Sequence, residues 1–345
     1  MPRRDKSMRV KLIANPGSGK MGKQTLLEHV IQYLTDQGVR VDVALARPKK
    51  MAVKIAKKAV KNKYKFIIAM GGDDTIEAVI RGMAGSKARL GIIPAGTENN
   101  IALSLGLPEN PREACALIVN GQSIKLDLGQ IKINKQKFYF FEVVTIGLVS
   151  AIYPDVKEIP KGNLSRIKDA ALTILNHETK PKVFMELDGE SKIEVETMLV
   201  VLSNIPYIGL KFLVAPDASM QDGLLDIADF PEFSKAELFS YFGKVMNGGQ
   251  SDDGKIQRYR AAKIKLKTSP ELAVMADGIV LGKGRVKIKM RHGALRVIVP
   301  EATKDKEGFK KEASLQVPTP VSPVVTAVDL QSGNDRLQPL PEKKN

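Results

Sequence analysis

The 345-residue sequence has no tryptophan, a single cysteine, three histidines and only 5% aromatic residues. The lone cysteine, Cys115, excludes a disulfide within the chain and fits a reducing compartment. In "PREACALIVNG" it takes an apolar position of a helix-like segment. His29, His177 and His292 are scattered without ligand spacing, which argues against zinc. With so few aromatics, platforms for stacking bases are sparse, so nucleic acid is not an expected partner. No apolar run approaches the ~18 residues that would cross a bilayer. The first twenty residues, "MPRRDKSMRVKLIANPGSGK", are basic but lack the apolar stretch of a secretory signal. These absences lead us to expect a cytoplasmic protein.

What the sequence has in excess is positive charge: 54 lysines and arginines against 38 acids, a net +16. Such a surface suits nucleic acid, an anionic membrane or a polyphosphate ligand, and the missing aromatics weigh against the first. Hydrophobic residues make up 43% and charged residues 27%, as in an ordinary globular protein.

Two textures follow one another along the chain. Up to residue 124, short β-branched runs alternate with helix-length segments: "RVKLIAN" (9–15), "KQTLLEHVIQYLTDQG" (23–38), "VRVDVALA" (39–46), "MAVKIAKKAVKN" (51–62), "KFIIAM" (65–70), "TIEAVIRGMAG" (75–85) and "ARLGIIPAG" (88–96). That rhythm predicts a doubly wound, mostly parallel sheet, an α/β nucleotide-binding domain with ligands at the carboxyl ends of its strands. From 125 to 303 the segments "IKLDLGQIKI", "KFYFFEVV", "KVFMELDG", "IEVETMLVVLS", "AKIKLKT", "LAVMAD", "RVKIKM" and "ALRVIV" read as strands of a β-rich, antiparallel, sandwich-like domain. Helices are expected within it at 163–177 and 234–247. The proline-rich end, 304–345, reads as a disordered tail.

Two glycine turns fall at strand ends. "GSGKMGKQ" (17–24) has the Gly-x4-Gly-Lys of a phosphate loop, but Gln24 stands where a hydroxyl would meet magnesium. It can still present backbone N–H groups to phosphate, or be a plain strand-to-helix turn with solvated lysines. "IIAMGGDDT" (67–75) is more specific: an apolar strand opens into Gly71-Gly72, two aspartates follow, and Thr75 is placed to cap the next helix. Bare carboxylates repel phosphate, so Asp73 would reach a nucleotide through magnesium or water. The plainer reading is an aspartate cap on a structural turn.

The stretches "GGDDTIEAVIRGMAG" and "LGIIPAGTENNIALSLGLP" resemble the catalytic domain of the diacylglycerol kinase and sphingosine kinase superfamily of lipid kinases, whose pattern is a GGDGT turn followed by a G-T-x-N segment. The likeness continues in family order through "NPGSGK", "KLDLG" (125–129), "APDASMQDGLLDI" (215–227) and "MADGIVLGKGRVKIKMRHGALRVIVP" (275–300). It implies an ATP- and Mg²⁺-dependent kinase acting on a lipid hydroxyl, diacylglycerol-like or related, peripheral to the membrane, with a homodimer left open. By the same resemblance Asn15, Ser18, Lys20, Gly71, Gly72, Asp73, Thr75, Gly96, Thr97 and Asn99 hold the nucleotide. Asp277 is the general base. Asp73, Asp127 and Asp222 are metal ligands, Asp222 at a separate structural magnesium.

The sequence departs from the pattern at Asp74, which replaces the third glycine of GGDGT, and at Ile279, which replaces the glutamate of D-G-E. Asn100 and Val149 stand at positions often acidic in the family. A relative that binds nucleotide or lipid without turnover therefore stays open. So does an NAD kinase, which shares GGDGT, although the T-P-T-G-S motif is absent. Finally, Lys263, Lys265 and Lys267, and Arg285, Lys287 and Lys289, alternate with apolar residues and so line one face of their strands, as a solvated surface or a contact for anionic headgroups.

Overall fold

A computed structural model describes residues 8–15, 23–47, 50–151, 181–208, 212–231, 233–246 and 254–301. The glycine-rich turn at 16–22, with Ser18 and Lys20, the helix expected over 163–177 and the expected tail at 304–345 lie outside the described residues.

The first domain alternates as its sequence predicts: β1 (Arg9–Ala14), α1 (Lys23–Asp36), β2 (Arg40–Leu45), α2 (Lys50–Lys61), β3 (Phe66–Gly71), α3 (Asp73–Met83), β4 (Arg89–Pro94), α4 (Asn100–Ser104) and α5 (Pro111–Asn120). In α2, Ala52, Ala56 and Ala59 recur at three- and four-residue spacing and are buried, while Lys54, Lys57, Lys58 and Lys61 face water. The start of α5 is fixed by Asn110, whose Oδ1 accepts the N–H groups of Arg112 (2.9 Å) and Glu113 (3.4 Å), with Pro111 opening the helix. The strands pair in parallel in the order β2-β1-β3-β4. One face packs under α2, α3 and α4 through Ile13, Ile67, Ala69 and Leu90; the other packs under α1 and α5 through Leu12, Ile68, Leu34 and Ile118.

The second domain begins with β5 (Gln122–Ile133), β6 (Gln136–Phe140), β7 (Val143–Gly147), β8 (Lys182–Leu187), β9 (Ser191–Glu196) and β10 (Leu199–Ser203). A small hairpin, β11 (Tyr207–Ile208) and β12 (Phe212–Leu213), precedes β13 (Leu225–Asp229) and α6 (Lys235–Met246), the helix expected at 234–247. The chain closes with β14 (Gln257–Ala261), β15 (Lys263–Ser269), β16 (Ala273–Ala276), β17 (Ile279–Lys283) and β18 (Val286–Val299). β14-β13-β10-β7-β16-β17 form an antiparallel sheet, which packs through Val144, Ile146, Val200 and Val274 against Ile131, Val183, Ile264 and Ile288 of the other layer.

That other layer is not separate from the first domain. "RVKIKM" and "ALRVIV", read as two strands, form the single strand β18, with an irregularity between Arg291 and Leu295. Its first half pairs with β15, and its second half lies parallel to β4, with Arg296 opposite Arg89 and Val297 opposite Leu90. β5 follows it along the whole other edge. One ten-stranded sheet thus runs through both domains. The boundary drawn between 124 and 125 falls inside β5, and Leu295, Val297 and Val299 fill the core of the first domain.

Candidate nucleotide site and interdomain acid cluster

Gly72 is the residue from which α3 starts, in extended conformation and without a side-chain cap, so Thr75 is not the cap its position in the sequence suggests. Thr75 is buried inside the first turn, and its Oγ1 accepts a hydrogen bond from Asn15 Nδ2 (3.3 Å), tying the end of β1 to α3. The Asn15 N–H reaches the Met70 carbonyl at 3.0 Å. A Cβ on Gly96 would lie 2.4 Å from the Gly72 Cα, and one on Gly72 would lie 3.1 Å from the Gly96 Cα. These two glycines let the turns after β3 and β4 run against each other. A Cβ on Gly71 would meet the Thr75 side chain at 2.8 Å.

Asp73 joins the same two turns. Its Oδ2 accepts the N–H of Asn100 (2.9 Å) and its Oδ1 that of Ile101 (3.1 Å), the first N–H groups of α4. Burial raises its carboxyl above the ordinary range; these hydrogen bonds oppose that, and neighbouring Asp74 adds to it. Asn99 is left-handed at φ 54°, which asparagine tolerates, and its amide clasps the N–H and carbonyl of Gly96 at 3.0 and 3.3 Å. Thr97 is exposed at the tip of this loop. Asn15, Gly71, Gly72, Asp73, Thr75, Gly96, Thr97 and Asn99 are thus brought together at the carboxyl ends of β1, β3 and β4.

Asp277 and Gly278 are the two central residues of the hairpin between β16 and β17, at φ 43° and 64°. Asp-Gly is the pair such a turn favours. The Asp277 side chain is fully buried. Its Oδ2 accepts the N–H of Phe141 (2.8 Å), and its Oδ1 those of Glu142 (3.0 Å) and Val143 (3.2 Å). Three successive N–H groups from the break between β6 and β7 therefore hold one carboxylate. Arg81, from α3, places Nη1 3.6 Å from Asp277 Oδ2 and 3.6 Å from Glu77 Oε2, and its guanidinium lies over the Phe138 ring at 5.2 Å. Glu142 completes the group. Burial drives Glu77 and Glu142 well above the ordinary carboxyl range; Asp277 adds to the effect on Glu77, and Glu77 adds to that on Glu142. Burial also raises Asp277, against Arg81 and its three N–H partners. Glu77, Arg81 and Glu142 were not singled out from the sequence. The signal was there: an acid and a base at i, i+4 among the apolar positions of "TIEAVIRGM", and a lone acid inside "KFYFFEVV".

Asp127 and Asp222 lie near one another at a second locus, each held by donors of the protein itself. Asp127, buried, accepts the N–H of Gly223 (2.6 Å) and Gly293 (2.7 Å) and stands 2.9 Å from His292 Nδ1. Asp222 is ion-paired to Arg260, which also reaches Asp226 at 3.3 Å, and its Oδ1 accepts the N–H of Leu224 (2.9 Å). The aspartate that the resemblance assigns to a structural magnesium thus has a guanidinium beside it. Among the described residues no three His, Cys, Asp or Glu side chains are grouped to hold a metal ion. Among them, too, no helix is long and apolar enough to cross a membrane.

Family comparisons agree with this architecture. The model of the diacylglycerol kinase catalytic domain matches residues 9–131, and that of the YegS C-terminal NAD kinase beta sandwich-like domain matches 149–299. A diacylglycerol kinase of Bacillus subtilis is 29% identical over 276 residues, 78% of this chain and 89% of that protein. One from Mycobacterium tuberculosis is 29% identical over 303 residues, 86% of this chain and 97% of that protein. The crystal structure of a diacylglycerol kinase from Bacillus anthracis superposes with a TM-score of 0.67 at 25% identity, covering 86% of this chain and 99% of that one.

Proposed function

We propose that this chain, which belongs to the bacterial-type lipid kinase superfamily that includes the diacylglycerol kinases, transfers the terminal phosphoryl group of ATP to the hydroxyl of a diacylglycerol-like lipid at a membrane surface. The observation that carries this reading is the path of α3. It starts at the glycine turn and reaches Glu77 and Arg81 beside Asp277, about 6 and 12 Å further along at 1.5 Å per residue. One rigid helix thereby connects a loop pair suited to phosphate with a carboxylate of the other domain.

Bound ATP with Mg²⁺ would supply the transferable group and neutralise charge as the bond to it breaks. Gly71, Gly72, Gly96, Thr97 and Asn99 would line the phosphate side, and Asn15 and Thr75 would hold those turns in place. Asp277 would take the proton of the lipid hydroxyl, since burial makes its carboxyl a stronger base while three N–H groups fix its direction. Its side chain is buried, so a hydroxyl reaches it only when the contact between α3 and residues 141–143 opens.

A second reading is a relative that binds ATP without transferring phosphate. Asp74 favours it, because its charge lies in the first turn of α3 beside Asp73. Radiolabelled ATP offered with diacylglycerol, a sphingoid base or phosphatidylglycerol in mixed micelles separates the two. Label on diacylglycerol is the expected result. ATP binding without label on any acceptor would establish the second reading, and Asp74→Gly would then be the variant to restore turnover.

A further inference from the structure

We propose that the outer face of β5, β18, β15 and β8 is the surface by which this protein docks on an anionic phospholipid bilayer. The proposal rests on the lipid-kinase reading for its choice of partner, but on the geometry of that face for its place. Ile131, Ile133, Ile264, Leu266, Val286 and Ile288 point into the sandwich, so the residues between them point out. Across the sheet, Lys132, Lys287 and Lys265 are directly opposite one another in register, followed by Glu186 on β8 and Lys192 on β9, with Lys137 of β6 at the other end. In the next row Lys289 is directly opposite Lys263. All seven lysines are exposed.

Like charges directly opposite on a sheet destabilise it. Lys265 has a partner in Glu186 at 2.6 Å, and that single carboxylate is held below its ordinary range mainly by this contact. Lys287, between two lysines, has no acid directly opposite it; Glu186 lies two strands away. A groove of about 880 Å³ crosses the same face, where Lys132, Lys192, Lys265, Lys267, Arg285 and Lys287 outnumber the two acids, Glu186 and Glu194. The chain thus keeps a repulsive arrangement that an external anionic layer would relieve.

Several features favour a bilayer over a nucleic acid. The face is a broad sheet of lysines, which act as hydrated point charges without the bidentate geometry that reads bases. Its one outward aromatic ring, Phe184, is partly buried and is covered by Lys267 at 4.4 Å, so it offers no stacking platform. Lysine stems can also lie along a headgroup layer with their charges at its surface.

Co-sedimentation with phosphatidylglycerol vesicles, with pure phosphatidylcholine vesicles as the neutral arm, tests this. The variant Lys287→Glu/Lys289→Glu turns repulsive rows into attractive ones, so it should unfold at no lower temperature than the parent. Each basic residue near an anionic leaflet changes partition about fivefold. The double reversal should therefore weaken binding to phosphatidylglycerol about thirtyfold or more. The same reversal on α2, Lys54→Glu/Lys61→Glu, should change it far less. Binding of the parent should also fade as salt rises above about 0.1 M. Equal loss in both variants would mean that net charge acts without a docking face and would overturn the proposal. So would equal binding to phosphatidylcholine, or tighter binding to duplex DNA than to vesicles. Transfer of phosphate to a short-chain diacylglycerol below its micellar concentration should be unchanged by Lys287→Glu/Lys289→Glu. Its absence in the parent would sink the kinase reading, while sedimentation still decides the docking face.

Discussion

Two acidic groups in this protein solve the same problem in opposite ways. Asp127 stands beside His292, and Asp222 and Asp226 beside Arg260, side chains that come with the fold and remain partly open to water. Glu77, Glu142 and Asp277 are buried between the two domains with Arg81 as the cation in contact with two of them. Burial raises Asp127 and Asp226 as well, but the N–H groups of Gly223 and Gly293 oppose it at Asp127 and Arg260 opposes it at Asp226. In the second group burial drives Glu77 and Glu142 well above the ordinary range and raises Asp277 too. Charges left partly open are screened by water, whereas buried carboxyls that share one guanidinium are pushed toward the form that keeps its proton.

Variants of the two groups should give effects of very different size. The largest is expected at Asp277. Asp277→Asn keeps an acceptor for the N–H groups of residues 141–143 but removes the base, and turnover should fall about 10²- to 10⁴-fold with ATP binding retained; full activity would remove Asp277 from the mechanism. Next is Arg81→Met, which strips a buried cluster of its cation and should lower unfolding free energy by about 3 kcal/mol in denaturant titration.

Glu142→Gln sharpens the contrast through pH. The folded carboxyl lies above its ordinary value of 4.5, so the fold binds a proton that the unfolded chain has released. Stability contributed by that proton is present below about 4.5 and is lost as pH rises through the raised folded value. The variant should therefore match the parent near pH 4 and exceed it by on the order of 1 kcal/mol near pH 8. A parallel pair of stability–pH curves would show that Glu142 does not titrate in the fold. The smallest effect belongs to the open group: Arg260 is about half exposed, so Arg260→Met should cost about 0–1 kcal/mol. With the guanidinium gone, Asp222 and Asp226 should make the melting temperature of the variant respond to Mg²⁺ while the parent stays indifferent. A parent whose melting temperature drops sharply in a chelator would show that metal, and not Arg260, holds this locus.

Much of the nucleotide end was legible beforehand because its constraints are local. The apolar run ending in Gly71-Gly72 announced a strand-to-helix turn. Asp277-Gly278 carries the signal of a hairpin, since few residue pairs accept positive φ at both positions, but it was read only as part of the family's D-G-E. What the glycines do there was not legible. Gly72 and Gly96 admit each other's backbone, and Asp73 serves two N–H groups of α4, facts that depend on how two loops 24 residues apart are brought together. Asp127 and Asp222 were named as metal ligands without being paired, and Arg260, which lies beside Asp222, carries no mark in its own neighbourhood of sequence.

By itself the sequence determined the period-two and helical rhythms, the turns, the basic outer strands and a chain with no disulfide of its own. Each of these follows from a residue's own stereochemistry or that of its near neighbours. Only the tertiary structure decided that β18 shifts register between Arg291 and Leu295 and pairs with β4 of the first domain. It alone brought residues 77, 81, 142 and 277 into one buried cluster, and Lys132, Lys265 and Lys287 into one row. The reason is physical. Which charges meet is fixed by strand register and burial across more than a hundred residues, and neither the period nor the propensity of a segment records its distant partner.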